Sequence, residues 1–393
     1  MHELLDLLLR WTHVIAAIMW IGNSLLFNWL DRNLTPARNP RERSAGAAWL
    51  LHSGGFYYAE KTLALDEGVE LRTVHWFKWQ AYATWLSGAA LLALVYYQSA
   101  RALLIAPGSG LTAGQGIALS MGTLAGGWLV YIALWRSPLR RVPKLAALIS
   151  MALLFVLAWA LTQLFTGRAA FLHTGAVMGT LMAGNVHRHI MPAQRAFVAS
   201  LEQGVPGDAR LSQRAKLHSI HNNYLTFPVI ALMLSSHFPW LYSGGWLSIA
   251  VLITGGAAVR HVLNTRYTFR YWVPALAATI ALTLLALYPL MQRAPAAYVD
   301  SGAPVTDAEG FAIIQKRCTV CHSTSPADRS LGAPPVGVAF DTPEQVHALL
   351  SRIEARAVST HTMPPDNRTW MTGHERMLLA RWIEQRRSRE APQ

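Results

Sequence analysis

Eight apolar segments, separated by short polar and basic stretches, dominate the first three quarters of the chain. Segments of roughly 20 apolar residues are long enough to cross a bilayer as helices, so each one predicts a membrane span. The first segment lacks the short apolar core and small-residue cleavage site of a signal peptide, and we expect it to be retained. The predicted spans, of which the sixth is the weakest, lie at about 4–28, 74–97, 116–135, 145–165, 169–186, 224–237, 245–261 and 271–291.

The pattern changes after the last predicted span. Residues 292–305 are rich in Pro and Ala, which suits a short and fairly extended linker. The sequence therefore predicts an all-α protein in which an eight-span transmembrane helical bundle (1–291) carries a small C-terminal α-helical domain (306–393).

Capping signals predict three helices in this C-terminal domain. Thr306 and Glu309 form one capping-box pattern, and Thr372 and Glu375 form another. Between them, a capping residue stands before Pro343, and proline is favoured at the first position of a helix. Three helices supply enough core for a domain of this size.

Composition and charge support the membrane interpretation. With 52% hydrophobic and 14% charged residues, the chain is far from an average soluble protein. The net charge of +13 could indicate a nucleic-acid partner, but the cations concentrate after odd-numbered spans, whereas the even-numbered loops carry only Arg101 and Arg168. By the positive-inside rule the odd loops are cytoplasmic and both termini lie outside. We therefore expect a lipid bilayer, and no nucleic acid, as the partner of these cations.

The C-terminal domain contains the motif Cys318-Thr-Val-Cys321-His322, in which two thiols can form thioether bonds to a haem and the adjacent histidine can bind its iron. These are the chain's only cysteines, which excludes a disulfide framework and a Cys-rich zinc site. A thioredoxin-like redox pair would require a βαβ setting. The sequence thus predicts one covalent c-type haem, and such haems are normally attached outside the bacterial inner membrane.

A thioether sulfur is the expected second axial ligand of a high-potential haem. Met363 is the predicted ligand, because the two prolines that follow it favour an extended loop that can hold the sulfur over the haem face. Met371 and His361 remain alternatives, and a methionine in a small domain is often a core residue.

Histidines inside the predicted membrane spans form two groups. His13 and His173 belong to the outer half, and ionisable groups at bilayer depth suggest function. Paired imidazoles from facing helices could hold a b-type haem, for which these two are the candidates. Alternatively, each histidine hydrogen-bonds a neighbouring helix or lies at headgroup level. The cytoplasmic group comprises His75, His187, His189, His218, His221 and His261, with His52 in the first loop.

The first cytoplasmic loop contains His52-Ser-Gly-Gly-Phe56, in which paired glycines allow close approach of a ligand and flanking aromatic rings could stack on a planar one. Lys61 and Lys78 could attract an anion. A re-entrant turn with interfacial aromatic residues is the alternative interpretation.

Several short sequence motifs, taken together with the C-terminal haem motif, resemble those of the bacterial membrane-bound cytochrome c urate oxidases. These motifs are Trp11-Thr-His13, Trp20-Ile-Gly22, His52-Ser-Gly-Gly-Phe56 and His75-Trp-Phe-Lys78-Trp79. The resemblance covers nearly the whole chain. It implies oxidation of urate to 5-hydroxyisourate in the inner membrane, with electrons leaving through the haem c to a soluble or membrane cytochrome c or a terminal oxidase. The first span also resembles membrane haem proteins of the protoporphyrinogen oxidase type, which favours haem b at His13.

Urate is a planar purine and is anionic near neutral pH, so it should bind among cations and aromatic rings, with a histidine as proton acceptor. His52, Lys61, His75 and Lys78 are the predicted catalytic residues on this chemistry alone. Two other functions stay open: a membrane conduit that passes electrons from quinol to cytochrome c without enzymatic turnover of urate, and a transporter with a regulatory cytochrome.

Overall fold

Most of each predicted apolar segment lies on a helix, although the helix of the second segment begins at Lys78. The computed structural model describes residues 2–41, 43–62, 75–106, 109–203, 209–291, 303–328, 333–359, 363–364, 367 and 369–390. The long helices are α1 (His2–Arg32), α2 (Lys78–Leu91, continued by a π-helical segment Leu92–Tyr97), α3 (Ala113–Arg136), α4 (Pro143–Leu164), α5 (Gly167–Asn185), α7 (Ala209–Leu234), α8 (Gly245–Thr265) and α9 (Trp272–Met291), with a shorter α6 (Met191–Glu202) between α5 and α7.

Five of these helices, namely α1, α3, α4, α8 and α9, are long and apolar enough to cross a membrane. The remaining predicted spans, on α2, α5 and α7, stay predictions. α5 is more polar because it is the central helix. It packs against α2, α3, α4 and α7, and twelve of its nineteen residues are buried. A helix enclosed by other helices needs no lipid-facing apolar surface, so its hydropathy understates its position in the bundle.

Local sequence signals set the beginnings of several helices. Thr112 caps α3 in a capping box with Gln115, Pro143 occupies the first turn of α4, and Thr166 caps α5. The backbone N–H of Thr166 also donates to the carbonyl of Leu104, at 2.9 Å. This bond joins the start of α5 to the loop before α3. We call this end of the bundle the Gly167 end and the opposite one, where α5 finishes, the Asn185 end.

The segment after α1 contradicts the all-α prediction. It forms an antiparallel hairpin of β1 (Ser44–His52) and β2 (Gly55–Thr62). Ser53 and Gly54 both have positive φ angles, of 51° and 76°, which is the backbone of a type I′ hairpin turn. The paired glycines therefore make a tight strand connection, and neither a re-entrant turn nor a ligand loop is formed here. The signal was the strand-like alternation that places Trp49 and Tyr58 on one face, with ring centroids 4.8 Å apart.

The C-terminal domain contains α10 (Asp307–Arg317), α11 (Pro343–His347), α12 (Leu350–Ile353) and α13 (Gly373–Glu390). All three predicted capping signals are confirmed, by Thr306 with Glu309, by Thr342 before Pro343, and by Thr372 with Glu375. α10 crosses α13 where Gly310 faces the ring of Trp382, since a Cβ at Gly310 would collide with that ring. The core between the helices includes Ile313, Ile314, Leu379 and Ile383.

Two ion pairs also join α10 to α13. Arg317 binds Glu375 at 2.8 Å with both side chains largely buried, and Arg386 binds Asp307 at 3.0 Å. Burial alone would raise the pKa of Glu375, but hydrogen bonds from Arg317 and Thr372 outweigh it and lower that pKa. Hydrogen bonds from Arg386 and Trp382 lower the pKa of Asp307. Both carboxylates therefore favour the folded state when they are ionised.

This arrangement predicts acid sensitivity of the C-terminal domain. A carboxylate whose pKa is lowered by folding contributes its full stability above its unfolded pKa of about 4 and loses it as the pH falls through the folded pKa. We expect the urea concentration at the unfolding midpoint of α10 and α13 in the full-length protein to decrease as the pH is lowered from 7 to 3. Pulsed hydrogen exchange at one fixed labelling pH measures this midpoint. The variant Glu375→Gln should lower stability at pH 7 by about 3 kcal/mol, because Arg317 keeps a buried charge. The exposed Glu384→Gln on α13 is the control, and an equal loss there would contradict the assignment.

Candidate functional site

The structure does not bring the four predicted catalytic residues into one pocket. His52 lies at the tip of the hairpin, where its Nδ1 is 2.6 Å from Oγ of Ser53, and Lys61 lies near the base in an exposed ion pair with Asp31. Since His52 pairs with Gly55 and Lys61 with Gly46, the two are separated along the hairpin by about 20 Å, at roughly 3.3 Å per residue. One urate molecule could not contact both.

His75 and Lys78 lie beside the start of α2. The ring of His75 is 4.6 Å from that of Phe77, and the Lys78 ammonium is 5.3 Å from the ring of Trp79. His75 is exposed. These contacts are with aromatic residues of the same short segment, which is typical of a membrane interface. The catalytic role of this pair stays a prediction.

The two candidate haem b ligands differ in whether a ring nitrogen is free of hydrogen bonds and can bind iron. Nδ1 of His13 is 2.9 Å from the carbonyl of Thr84, and no hydrogen bond within the described part of the chain engages its Nε2. His173 is fully buried with both nitrogens engaged, since Nε2 is 2.6 Å from Oγ of Ser120 and Nδ1 is 2.8 Å from the carbonyl of Ala169. A haem iron requires a free imidazole lone pair. His13 meets that requirement, whereas His173 in this arrangement does not.

Three other histidines converge at the Asn185 end of the bundle. His189 comes from a π-helical segment, Val186–Ile190, and His218 and His221 lie one turn apart on α7. The rings of His189 and His218 stack at 3.9 Å with an angle of 11°. Both are buried, and none of the residues that the structure describes hydrogen-bonds Nδ1 of His189. Such π-helical segments are frequent at functional sites.

Tyr131 of α3 joins two of these rings. Its hydroxyl lies 2.9 Å from Nδ1 of His218 and 2.7 Å from Nδ1 of His221. The hydroxyl has one proton, so it can donate to only one of these two nitrogen atoms. The Nδ1–H of the other histidine must then donate to the hydroxyl oxygen. The two imidazoles then hold opposite tautomers, so that one presents a free Nε2 lone pair and the other presents an Nε2–H. The arrangement supplies a proton acceptor and a hydrogen-bond donor side by side.

Aromatic and amide side chains surround this centre. Trp135 lies 4.1 Å from the ring of His221, and Trp128 stacks on Tyr131 at 5.8 Å. The amide of Asn185 donates to Asn222 at 2.9 Å. We call the three histidines, Tyr131, Trp128, Trp135, Asn185 and Asn222 the histidine–tyrosine cluster.

Arginines surround the cluster where it meets solvent. Arg136, Arg140, Arg188 and Arg214 are exposed, and their guanidinium groups are close enough for the other three to repel Arg214. Arg136, Arg188 and Arg214 are also close enough to His189 to repel a positive charge on its ring. Within the described part of the chain no carboxylate pairs with any of these four. A cluster of cations without neighbouring carboxylates attracts an anionic ligand.

One small cavity lies beside the cluster. A cavity of about 20 Å³, lined among others by Trp20, Ser24, Asn222 and Thr226, is large enough for a water molecule and too small for a purine. A planar ligand would therefore approach the histidines from the arginine-rimmed surface. Among the described residues, no group of three or more His, Cys, Asp and Glu side chains is arranged to hold a metal ion.

The residues of the Cys318 motif fit a covalently attached haem. His322 places its Nδ1 2.9 Å from the carbonyl of Val338, which fixes Nδ1–H as a donor and leaves Nε2 for iron. Cys318 and Met363 pack on the same apolar core and are both only partly buried. Met371, by contrast, is fully buried as a core residue, and His361 lies outside the described residues. The arrangement supports Met363 over Met371 as the second ligand.

Sequence reasoning named His189, His218 and His221 but did not single them out as a site. It missed the roles of Tyr131 and Asn185, and it treated the arginines only as topology markers. The spacing of His218 and His221 on one face of a helix was the available signal.

Comparison with known proteins gives one match. A family model described as Urate oxidase N-terminal matches residues 1–290, which include the whole histidine–tyrosine cluster. No curated protein and no solved structure matches the chain.

Proposed function

The chain belongs to the urate oxidase N-terminal family, and from this premise we propose that it is a membrane-bound enzyme that oxidises urate to 5-hydroxyisourate at the histidine–tyrosine cluster. The observation that carries the proposal is the pair of imidazoles bridged by Tyr131 near a group of arginines for which the described residues offer no carboxylate partner. Urate is a planar anion that must lose protons as it is oxidised. The cluster offers positive charge for the anion, aromatic faces for the ring and an imidazole lone pair for the proton.

The roles of the residues follow from their positions. The arginines draw urate to the Asn185 end, and Trp135 provides a flat surface at the ring of His221. The imidazole with the free Nε2 accepts a proton from urate, while the other donates a hydrogen bond to a urate oxygen or nitrogen. The overall change is urate plus water to 5-hydroxyisourate, two protons and two electrons. A covalent haem in the C-terminal domain would supply a one-electron acceptor, used twice for each urate.

The charges favour a definite orientation in a bacterial inner membrane. The Asn185 end carries the arginine cluster, which by the positive-inside rule faces the cytoplasm when α2, α5 and α7 also span the bilayer. The C-terminal domain contacts the Gly167 end and is then periplasmic, where an oxidised c-type cytochrome or a terminal oxidase can accept its electrons. We propose eight spans on this basis.

Anaerobic addition of urate to the oxidised full-length protein tests the function. We expect the visible spectrum of a c-type haem to become that of the reduced form, with two electrons gained per urate consumed. No reduction by urate, together with reduction by a quinol, would overturn the proposal in favour of the electron conduit. A spectrum that contains only c-type haem would remove the haem b prediction at His13 without affecting urate oxidation.

The arginines give a mutational test of substrate attraction. Replacing both Arg188 and Arg214 with Gln should raise the KM for urate about tenfold and leave kcat within about twofold, because exposed charges act on encounter more than on chemistry. The KM should also become less sensitive to salt. Arg101→Gln, at the Gly167 end, is the matched control. An unchanged KM in the double variant would remove the arginines from substrate binding.

A further inference from the structure

Trp370 is an aromatic side chain of the C-terminal domain that touches the membrane bundle and that the proposed function does not use. Trp370 lies against the first turn of α5, where a Cβ on Gly167 would be 2.8 Å from Cη2 of the indole and 3.0 Å from Cβ of Tyr242. The rings of Trp370 and Tyr242 have centroids 6.1 Å apart at an angle of 34°. A side chain at position 167 would therefore have to displace the indole or the ring of Tyr242.

Both sides of this contact are held in place. On the membrane side, the Tyr242 hydroxyl donates to the carbonyl of Ser235 at 3.0 Å, and its ring packs edge-on to Phe171 of α5 at 5.2 Å. On the other side, Trp370 has a φ of 60°, a conformation that bulky residues rarely adopt. Such a backbone persists when its surroundings determine it, and it is often associated with function.

The loop that carries Trp370 is hydrogen-bonded to the residue that precedes the haem-attachment motif. Thr369 Oγ1 donates to the carbonyl of Arg317 at 2.7 Å, and Arg317 immediately precedes Cys318. On the other side of Trp370, Met371 is buried in the domain core. A displacement of Trp370 would therefore be transmitted to the residues that hold Cys318.

Val305 is buried in the core of the C-terminal domain and its backbone N–H donates to Gln385 at 3.1 Å, so residues 292–302 span the distance between the two parts. These eleven residues can reach up to about 36 Å when extended, so their length alone does not fix the position of the domain. We propose that Trp370, seated over Gly167 and against Tyr242, docks the C-terminal domain on the Gly167 end of the bundle and thereby sets the distance over which electrons reach Cys318 and Cys321. The electron-transfer part of this inference rests on the proposed function, whereas the docking part does not.

Hydrogen exchange on the full-length protein in a bilayer mimic tests the docking. In Trp370→Ala, backbone amides at the start of α5 and around Tyr242 should exchange about tenfold faster, while those of α13 should be unchanged because the domain remains folded. Trp370→Phe should give an intermediate value. Gly167→Leu should reproduce the effect from the other side, whereas Gly179→Leu, on the same helix with open space around it, should not. Unchanged exchange in both Trp370→Ala and Gly167→Leu would overturn the docking.

A second measurement tests the electron-transfer half. Urate-driven reduction of the cytochrome should slow by about tenfold or more in Trp370→Ala, whereas reduction by ascorbate, which reaches the domain from solution, should keep its rate. Faster exchange with an unchanged urate-driven rate would overturn the electron-transfer role and leave the docking. If urate reduces nothing even in the unmodified protein, the proposed function fails, while the exchange result still decides the docking.

Discussion

Replacing Tyr131 with Phe is expected to lower kcat/KM for urate by about 10²-fold, the usual contribution of a positioned acid–base group. The change removes one hydroxyl and leaves the ring, so its stacking on Trp128 is retained. Without the hydroxyl, His218 and His221 lose the shared partner that sets their tautomers. The measurement is steady-state urate oxidation by purified protein with oxidised cytochrome c as the acceptor.

The matched control for this variant is Tyr224→Phe. Tyr224 hydrogen-bonds His261 at 2.8 Å, so it has the same chemistry, and it lies on α7 outside the cluster. Its loss should change activity by less than about twofold, as for a surface group. Substitution of His218 or His221 by Ala should cost about 10²- to 10⁴-fold. If Tyr131→Phe and Tyr224→Phe have equal activity, the bridged imidazoles are not the acid–base pair.

Replacing both Cys318 and Cys321 with Ala is expected to abolish urate oxidation with any cytochrome acceptor. Without the two thiols no thioether bond can form, and the C-terminal domain loses its electron acceptor. The check is haem staining of the denatured protein on a gel, which should be positive for the unmodified chain and negative for the variant, together with the turnover assay. Val320→Ala, inside the same motif but with no side chain that binds haem, should keep both signals.

The double cysteine variant also separates the two halves of the proposed reaction. Urate binding at the Asn185 end should persist, with a dissociation constant within about threefold of the unmodified protein, because uncoupled distant sites act independently. Loss of urate binding in this variant would place the substrate near the C-terminal domain and contradict the cluster.

The two ends of the bundle impose a requirement on the electron path. From Gly167 to Asn185, α5 is about 27 Å long at 1.5 Å per residue. A substrate at the Asn185 end is therefore separated from the docked domain by the depth of the bundle. An electron carrier bound inside the bundle would shorten the transfer between these two ends. His13 has the chemistry to hold one, because no described hydrogen bond engages its Nε2.

The exposed aromatic face of the hairpin shows where sequence interpretation failed. Trp49, Leu51, Phe56 and Tyr58 alternate along β1 and β2, and each is well exposed. Their alternation is a strand pattern, but in a chain otherwise composed of apolar helices it suggests either a ligand-binding loop or a re-entrant turn with interfacial aromatic residues. The error had a functional consequence, since a loop could have gathered His52 and Lys61 around a ligand, and a hairpin holds them apart.

The sequence alone determined the features that depend on neighbours within a few residues. Hydrophobic periodicity and capping residues predicted the apolar helices and the helix starts of the C-terminal domain, because both signals are local. The Cys318 motif and the family resemblance can likewise be recognised from short stretches of sequence. Only the tertiary structure assembled the candidate site. Tyr131 and His218 are 87 residues apart, and Gly167 meets Trp370 across the linker. A histidine in a single sequence looks the same whether its ring is hydrogen-bonded to a neighbouring helix, as in His173, or stacked on another histidine, as in His189. Packing between helices decides which it is.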